Sequence, residues 1–196
     1  ASFEKQRLKG DPIRSFLVKA RQWGGSTLTE FYASWIQIRL TTNWNSCIIG
    51  DVESQATNIR GMYTNAARQY PEKYGTITLT NFESSAKNKQ IQETGAVISI
   101  GSMQRPESLR STDLKIAHLS EIGLCKKTQG KSPQDLIQAV KSSIPLLPIT
   151  LVVEESTAKG VGNYFHRAYK RAKNGESGYD LVFVAWFDIE RNRIPL

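Results

Sequence analysis

Between Lys19 and Thr27 the chain reads Lys-Ala-Arg-Gln-Trp-Gly-Gly-Ser-Thr: two cations, two glycines and two hydroxyls within nine residues. That set suits a phosphate group. Backbone N–H groups near glycine cradle the oxygens, a cation neutralises charge, and a hydroxyl ligates Mg²⁺. The spacing approaches G-x-x-x-x-G-K-[ST], with Gly24 and Ser26 in place. Lys19 stands where that pattern opens on glycine, and Gly25 where it has lysine. As a bare string it also fits an ordinary turn with two glycines. A second candidate is Ile116-Ala117-His118-Leu119-Ser120-Glu121, an apolar run ending in a carboxylate that could polarise water; a surface glutamate at a strand end would read the same. The third is more specific: Glu155-Ser156-Thr157-Ala158-Lys159-Gly160-Val161-Gly162-Asn163-Tyr164-Phe165.

Each candidate is expected at the end of a strand. Ile13 to Ala20 is apolar and β-branched after Pro12, hence a buried strand. Leu28, Phe31, Tyr32, Trp35 and Ile36 recur at helical spacing, so a helix starts near Ser26. Cys47 to Gly50 is a strand, with Asp51 expected to cap a helix through Ala56, Ile59, Tyr63, Ala66 and Tyr70 that Pro71 stops. Ile77 to Thr80 and Ala96 to Ile100 are short strands around a polar hairpin or loop, Glu83 to Gly95. Lys115 to Leu119 is a strand, Ser132-Pro133 opens a helix, and Ile149 to Glu154 is a strand before a loop over 156–160. Gly162 to Asn174 is a helix closed by Gly175, and Tyr179 to Phe187 is the last strand. This alternation predicts an α/β fold, a mostly parallel sheet with helices on both faces. Ligands bind such sheets at the carboxyl ends of the strands, where all three candidates fall.

The whole chain, residues 1–196, is expected to form a single domain. Lys and Arg number 26 against 18 Asp and Glu, a net charge of +8 that favours polyanionic partners or plain solubility. Cys47 and Cys125 lie in or beside apolar stretches and read as reduced thiols. His118 and His166 have no Cys or His at ligand spacing, which sets zinc aside. No apolar run reaches the ~20 residues of a membrane-spanning helix, and the N-terminus has no signal-peptide pattern.

With all three segments in view, the chain resembles the ATPase domain of tailed-phage large terminase subunits. That family carries an Arg-Gln-x-Gly-[Lys]-[Ser/Thr] loop, an apolar strand ending in Asp/Ser-Glu, and a Glu-Ser-Thr-x-x-Gly-x-Gly-Asn-x-Phe motif, here in the same order. The resemblance implies a P-loop NTPase of the additional-strand, catalytic-glutamate type that hydrolyses Mg²⁺-ATP to drive double-stranded DNA into a procapsid. It implies ATP binding by Lys19, Arg21, Gln22, Trp23, Gly24, Gly25, Ser26 and Thr27, and Mg²⁺ held by Ser26 with Glu121 through water. Glu121 matches the catalytic glutamate, and Ser156 and Thr157 match the pair that couples γ-phosphate loss to DNA movement. Lys19 substitutes for the missing lysine in ground-state binding and Arg21 serves the transition state; the alternative is a strand-end Lys19 turned to solvent. Implied partners are the portal, the small terminase subunit and further copies in a ring, in the cytoplasm of an infected bacterial cell, with no membrane. The family's upstream adenine-contacting segment and its downstream nuclease are not expected within this chain. Gly25 and Ser120 depart from the pattern and keep open a degenerate P-loop module that binds DNA or partner subunits without hydrolysis. A helicase-like or RecA-like ATPase also stays open, against the Glu-Ser-Thr segment.

Three further sets have bland and functional readings side by side. His166, Arg167, Lys170, Arg171 and Lys173 crowd one helix, as a DNA-tracking face or as a solvated one with cations at a helix C-terminus. Arg105 or Arg110 could act as a transition-state arginine, in cis or on a neighbouring subunit. Trp23 could stack on a base or pack against the loop.

Overall fold

The structure, a computed structural model, describes residues 2–103, 113–125 and 132–192. Arg105 and Arg110 lie outside the described residues. The described elements run α1 (Ser2–Lys9), β1 (Ile13–Lys19), α2 (Gly25–Trp35), β2 (Asn45–Gly50), α3 (Glu53–Arg68), β3 (Leu79–Phe82), β4 (Ser85–Ile91), β5 (Val97–Ser102), β6 (Leu114–Ser120), α4 (Pro133–Ser143), β7 (Leu151–Ser156), α5 (Tyr164–Lys173) and β8 (Asp180–Val184). Their strands form one sheet in the order β3-β4-β5-β2-β6-β7-β1-β8. From β5 to β8 every pairing is parallel; β3 and β4 add an antiparallel hairpin at one edge.

Strand alternation splits the core in two. Ile13, Leu17, Ile48, Ile98, Ile116, Leu151 and Val153 pack under α1, α2 and α3. Phe16, Val18, Ile49, Ala117, Leu119 and Val152 pack under α4 and α5, where Phe16 stacks on Phe165 at 4.6 Å. Continuous apolar runs such as that of β7 are what a strand buried on both faces requires.

The fold departs from the sequence expectations at several places. Nothing in the sequence pattern predicts α1: SFEKQRLK has only Phe3 and Leu8 as large apolar residues, and Gln6 ties it to β1 by accepting from the Arg14 N–H at 2.7 Å. Val52, not Asp51, precedes α3, and its side chain makes no cap. The polar stretch after residue 83 takes the hairpin alternative: it forms the second arm, strand β4, whose exposed residues suit its place near the sheet edge. The last strand stops at Val184, and Trp186–Asp188 is a 3₁₀ turn instead. Strand β7 runs on through Glu155 and Ser156, both fully buried, where the pattern predicts the start of a loop. The apolar stripe of α2 faces the core only in part: Ile36, at its end, is buried and Tyr32 and Trp35 pack against the core, whereas Leu28 and Phe31 are exposed and Thr29, Glu30 and Ser34 are buried. Glu30 meets His118 in the site.

No helix among the described residues is long and apolar enough to cross a membrane. Cys47 and Cys125 are both free thiols, the first buried.

Candidate functional site

The loop from β1 to α2 turns sharply twice. Gln22 has φ 58° and Gly24 φ 91°, after which Gly25 opens α2 and the Leu28 N–H donates to Gly24 O at 2.9 Å. The N-terminus of α2 and the parallel carboxyl ends of β1, β7 and β6 converge here, an arrangement suited to phosphate. Lys19 does not point to solvent. Its ammonium folds back over the loop, 3.0 Å from Ser26 Oγ and 2.9 Å from Glu155 Oε1, and its side chain is only 10% exposed.

The structure also explains why residue 25 is not lysine. A Cβ at Gly25 would lie 2.9 Å from two carbons of the Trp23 indole and 3.3 Å from Glu155 Oε2. Trp23 therefore packs on the loop, and a side chain at residue 25 would require its indole to shift. Of the other loop residues, Arg21 and Gln22 are exposed. Thr27 turns away toward α3, with its hydroxyl 3.4 Å from Met62 Sδ.

Glu155 is the centre of the site, and the sequence pattern alone assigns it no role. One oxygen, Oε1, accepts from Ser26 Oγ in a very short hydrogen bond and from Ser120 Oγ at 2.9 Å, in addition to the Lys19 ion pair. His118 Nε2 lies 3.1 Å from the same oxygen without the alignment of a hydrogen bond, while His118 Nδ1 meets Glu30 Oε1 at 2.5 Å. Burial alone would push the imidazole down, but the flanking carboxylates of Glu155 and Glu30 outweigh it and hold its pKa up at about 9. Burial pushes Glu155 up as well, but His118 and Lys19 prevail and hold it well below the ordinary carboxylate range. Burial raises Glu30, with His118 opposing. The site is a chain of ionisable side chains in contact, Glu30, His118, Glu155 and Lys19, running from the inside of α2 to the loop after β1. The clue available in the sequence is strand alternation: Glu154 and Glu155 must face opposite sides. Glu154 indeed pairs with Lys141 at 2.7 Å and Tyr164 at 2.8 Å on the other face.

Glu121, one residue past β6, has φ 55°. The left-handed region is costly for a non-glycine residue, on the order of 1–3 kcal/mol, and such strain concentrates at functional sites. Its Oε2 lies 3.4 Å from Ser156 Oγ and 3.5 Å from Thr157 Oγ1. Ser156 Oγ in turn accepts from the Gly123 N–H at 3.1 Å. The expected glutamate and the expected hydroxyl pair therefore meet. Glu121 does not contact Ser26, however; the carboxylate on Ser26 is Glu155.

Beside the loop opens a cleft of about 830 Å³ lined by Lys19, Arg21, Thr157, Lys159, Phe183 and Trp186, among others. Phe183 and Trp186 are 60% and 64% exposed there. On α5, Asn163 caps the helix by accepting from the His166 N–H at 2.8 Å. Arg167 is engaged locally, with Gly162 O at 2.6 Å and Gln134 at 3.1 Å.

No protein-family model and no curated protein matches the sequence. Solved structures do match the fold. The large terminase ATPase domain of Thermus phage P74-26 aligns over 93% of this chain and 81% of its own, at 15% identity and a TM-score of 0.68. The HK97 bacteriophage large terminase aligns over 89% of this chain and 35% of its own, at 13% identity and 0.68. The large terminase of a thermophilic bacteriophage, in complex with ATP-gamma-S, aligns over 94% and 42%, at 11% identity and 0.65. The aligned region is less than half of each of the last two chains. The fold is mixed α/β on a mostly parallel sheet. More particularly, it is the fold of phage large-terminase ATPase domains.

Proposed function

We propose that this chain is the ATP-hydrolysing motor domain of a phage DNA-packaging large terminase, a P-loop ATPase of the additional-strand, catalytic-glutamate type. The observation that carries this reading is Lys19, folded over the loop onto Ser26 at the first turn of α2. It puts a cation and a hydroxyl together at a helix N-terminus, as a nucleoside triphosphate needs. The place of β7 between β1 and β6 supports the additional-strand assignment. The thermophilic-phage terminase complexes with ADP and with ATP-gamma-S support nucleotide as the ligand.

In this reading the triphosphate lies on the backbone of residues 21–26 and its sugar and base enter the cleft beside Trp186. Lys19 leaves Glu155 for the β- and γ-oxygens. Arg21, exposed at the loop, reaches the γ-phosphate in the transition state. Glu121 orients the attacking water, and Ser156 and Thr157 hold its carboxylate. Catalysis of this type is largely positioning and charge stabilisation. The residues fit Mg²⁺: the Ser26 hydroxyl faces the loop, and the buried Glu155 Oε2 has no hydrogen-bond partner. Among the described residues no group of three or more His, Cys, Asp or Glu is arranged to hold a metal by itself, so the ion would share the phosphate oxygens. When bound, Mg²⁺ would neutralise charge on the triphosphate. The implied partners are double-stranded DNA, a portal, a small terminase subunit and neighbouring copies, in the infected cell.

Thr157 tests the coupling half of this proposal. It follows β7 beside the end of β1, where Val18 pairs with Ser156, and its hydroxyl touches Glu121. In the protein that carries this domain, Thr157→Ala should spare ATP binding and impair DNA movement more than hydrolysis. The check is the number of base pairs moved per ATP consumed. Strictly proportional losses would remove the coupling role.

A further inference from the structure

We propose that Glu155, from β7, is the carboxylate that faces Mg²⁺ in this site, in place of the aspartate that nucleotide hydrolases usually carry at the end of the neighbouring strand. The inference rests on the nucleotide-site reading above and assigns one of its missing parts. In P-loop hydrolases a carboxylate at that strand end acts with the loop hydroxyl to hold the ion. Here the corresponding residue, Ser120, has no charge to offer.

Four observations place Glu155 in that role. Its Oε1 accepts from Ser26 Oγ, the hydroxyl positioned to ligate the ion, so Glu155 fixes that hydroxyl's lone pairs toward the loop. Ser120 itself donates to the same oxygen at 2.9 Å, so the side chain that lacks the charge orients the one that has it. The second oxygen, Oε2, is buried with no hydrogen-bond partner, and it sits 3.3 Å from where a Cβ of Gly25 would be. It therefore points at the first turn of α2. A buried carboxylate oxygen left without a partner is costly, and a water of a hydrated Mg²⁺ would satisfy it. Finally, Mg²⁺ dehydrates reluctantly and accepts carboxylates through its waters. A glutamate reaching from β7 fits that geometry because its stem is one methylene longer than an aspartate's on β6. The register agrees: Ser120 and Glu155 are paired neighbours on β6 and β7.

The substitution also accounts for the rest of the cluster. Without ligand, Lys19 and His118 compensate Glu155. When Lys19 moves to the phosphates, the incoming divalent charge takes its place beside the carboxylate. His118, hydrogen-bonded to Glu30, lies against Glu155 Oε1 at 3.1 Å and is not displaced by this exchange.

The test is the dependence of ATP affinity on Mg²⁺, measured by equilibrium binding with and without the ion rather than by turnover. In the unsubstituted protein Mg²⁺ tightens ATP binding. Glu155→Gln should shrink that gain by about 10- to 100-fold, the usual effect of losing a partner of a metal's coordination shell. Because a neutral residue beside His118 could disturb folding, a second variant, Ser120→Asp/Glu155→Gln, returns the charge to the adjacent strand. It should recover much of the Mg²⁺ dependence. The proposal is overturned if Glu155→Gln keeps the full gain, or if the double variant, melting like the unsubstituted protein, recovers none of it. Failure of the unsubstituted protein to bind ATP at all would instead contradict the nucleotide-site reading.

Discussion

Glu121→Gln should leave Mg²⁺-ATP binding intact and lower ATP turnover by about a hundredfold or more, the size expected on removing a positioned general base. The backbone sets this up. Glu121 is held at φ 55° just beyond β6, a conformation that a glutamate does not choose for itself. The turn is tied to β7: the Ile122 N–H donates to Glu155 O at 3.3 Å, and the Gly123 N–H donates to Ser156 Oγ. Its carboxylate accepts weakly from two hydroxyls, at 3.4 and 3.5 Å. Contacts of this kind orient the group. Glutamine has the same shape and can accept from the same two hydroxyls through its carbonyl oxygen, but it cannot take a proton from water. Fold and affinity should therefore survive while chemistry does not. Turnover and nucleotide affinity, measured in the protein containing this domain, check it. Unchanged turnover would remove Glu121 from the mechanism.

Lys19→Ala should weaken ATP binding by about 1.5–3 kcal/mol, roughly tenfold to a hundredfold, the worth of a hydrogen bond to a charged group. The triphosphate loses the cation at its β- and γ-oxygens, and Gly25 supplies no replacement. The loss is partly offset because no Lys19–Glu155 ion pair then has to open on binding. Titration of ATP into both proteins measures the difference, and a melting curve establishes that the variant is folded. Equal affinities would refute the substitution by Lys19 and favour the degenerate-module reading, in which the domain binds DNA or partner subunits without hydrolysis.

The central strands are legible in the sequence because burial on both faces demands near-continuous apolar runs, and β1, β2, β6 and β7 have them. The three motif segments fall at their strand ends for the same reason. What the sequence hides is polar and internal. Helix α2 packs Tyr32, Trp35 and, at its end, Ile36 on the core as its hydrophobic period predicts, but it also turns Glu30 and Ser34 inward and leaves Leu28 and Phe31 exposed. Strand β4, SAKNKQI, is too polar to read as a strand; it holds its place through ladder bonds near an edge. Glu155 is hidden by its neighbour. Two successive glutamates at a strand end look like a loop starting, whereas each is buried against its own cation on its own face. Only the third dimension reveals that Glu155 stands beside Ser120 on the adjacent strand and accepts from its hydroxyl.

Whether the loop after β1 holds a triphosphate is tested most directly by a structure of this protein with Mg²⁺ and a non-hydrolysable ATP analogue. The expected result is the triphosphate on the backbone of residues 21–26, the Lys19 ammonium moved from Glu155 to the phosphate oxygens, and the base in the cleft beside Trp186. A nucleotide bound elsewhere, or a Lys19 that remains on Glu155 with the analogue present, would contradict the motor-domain reading.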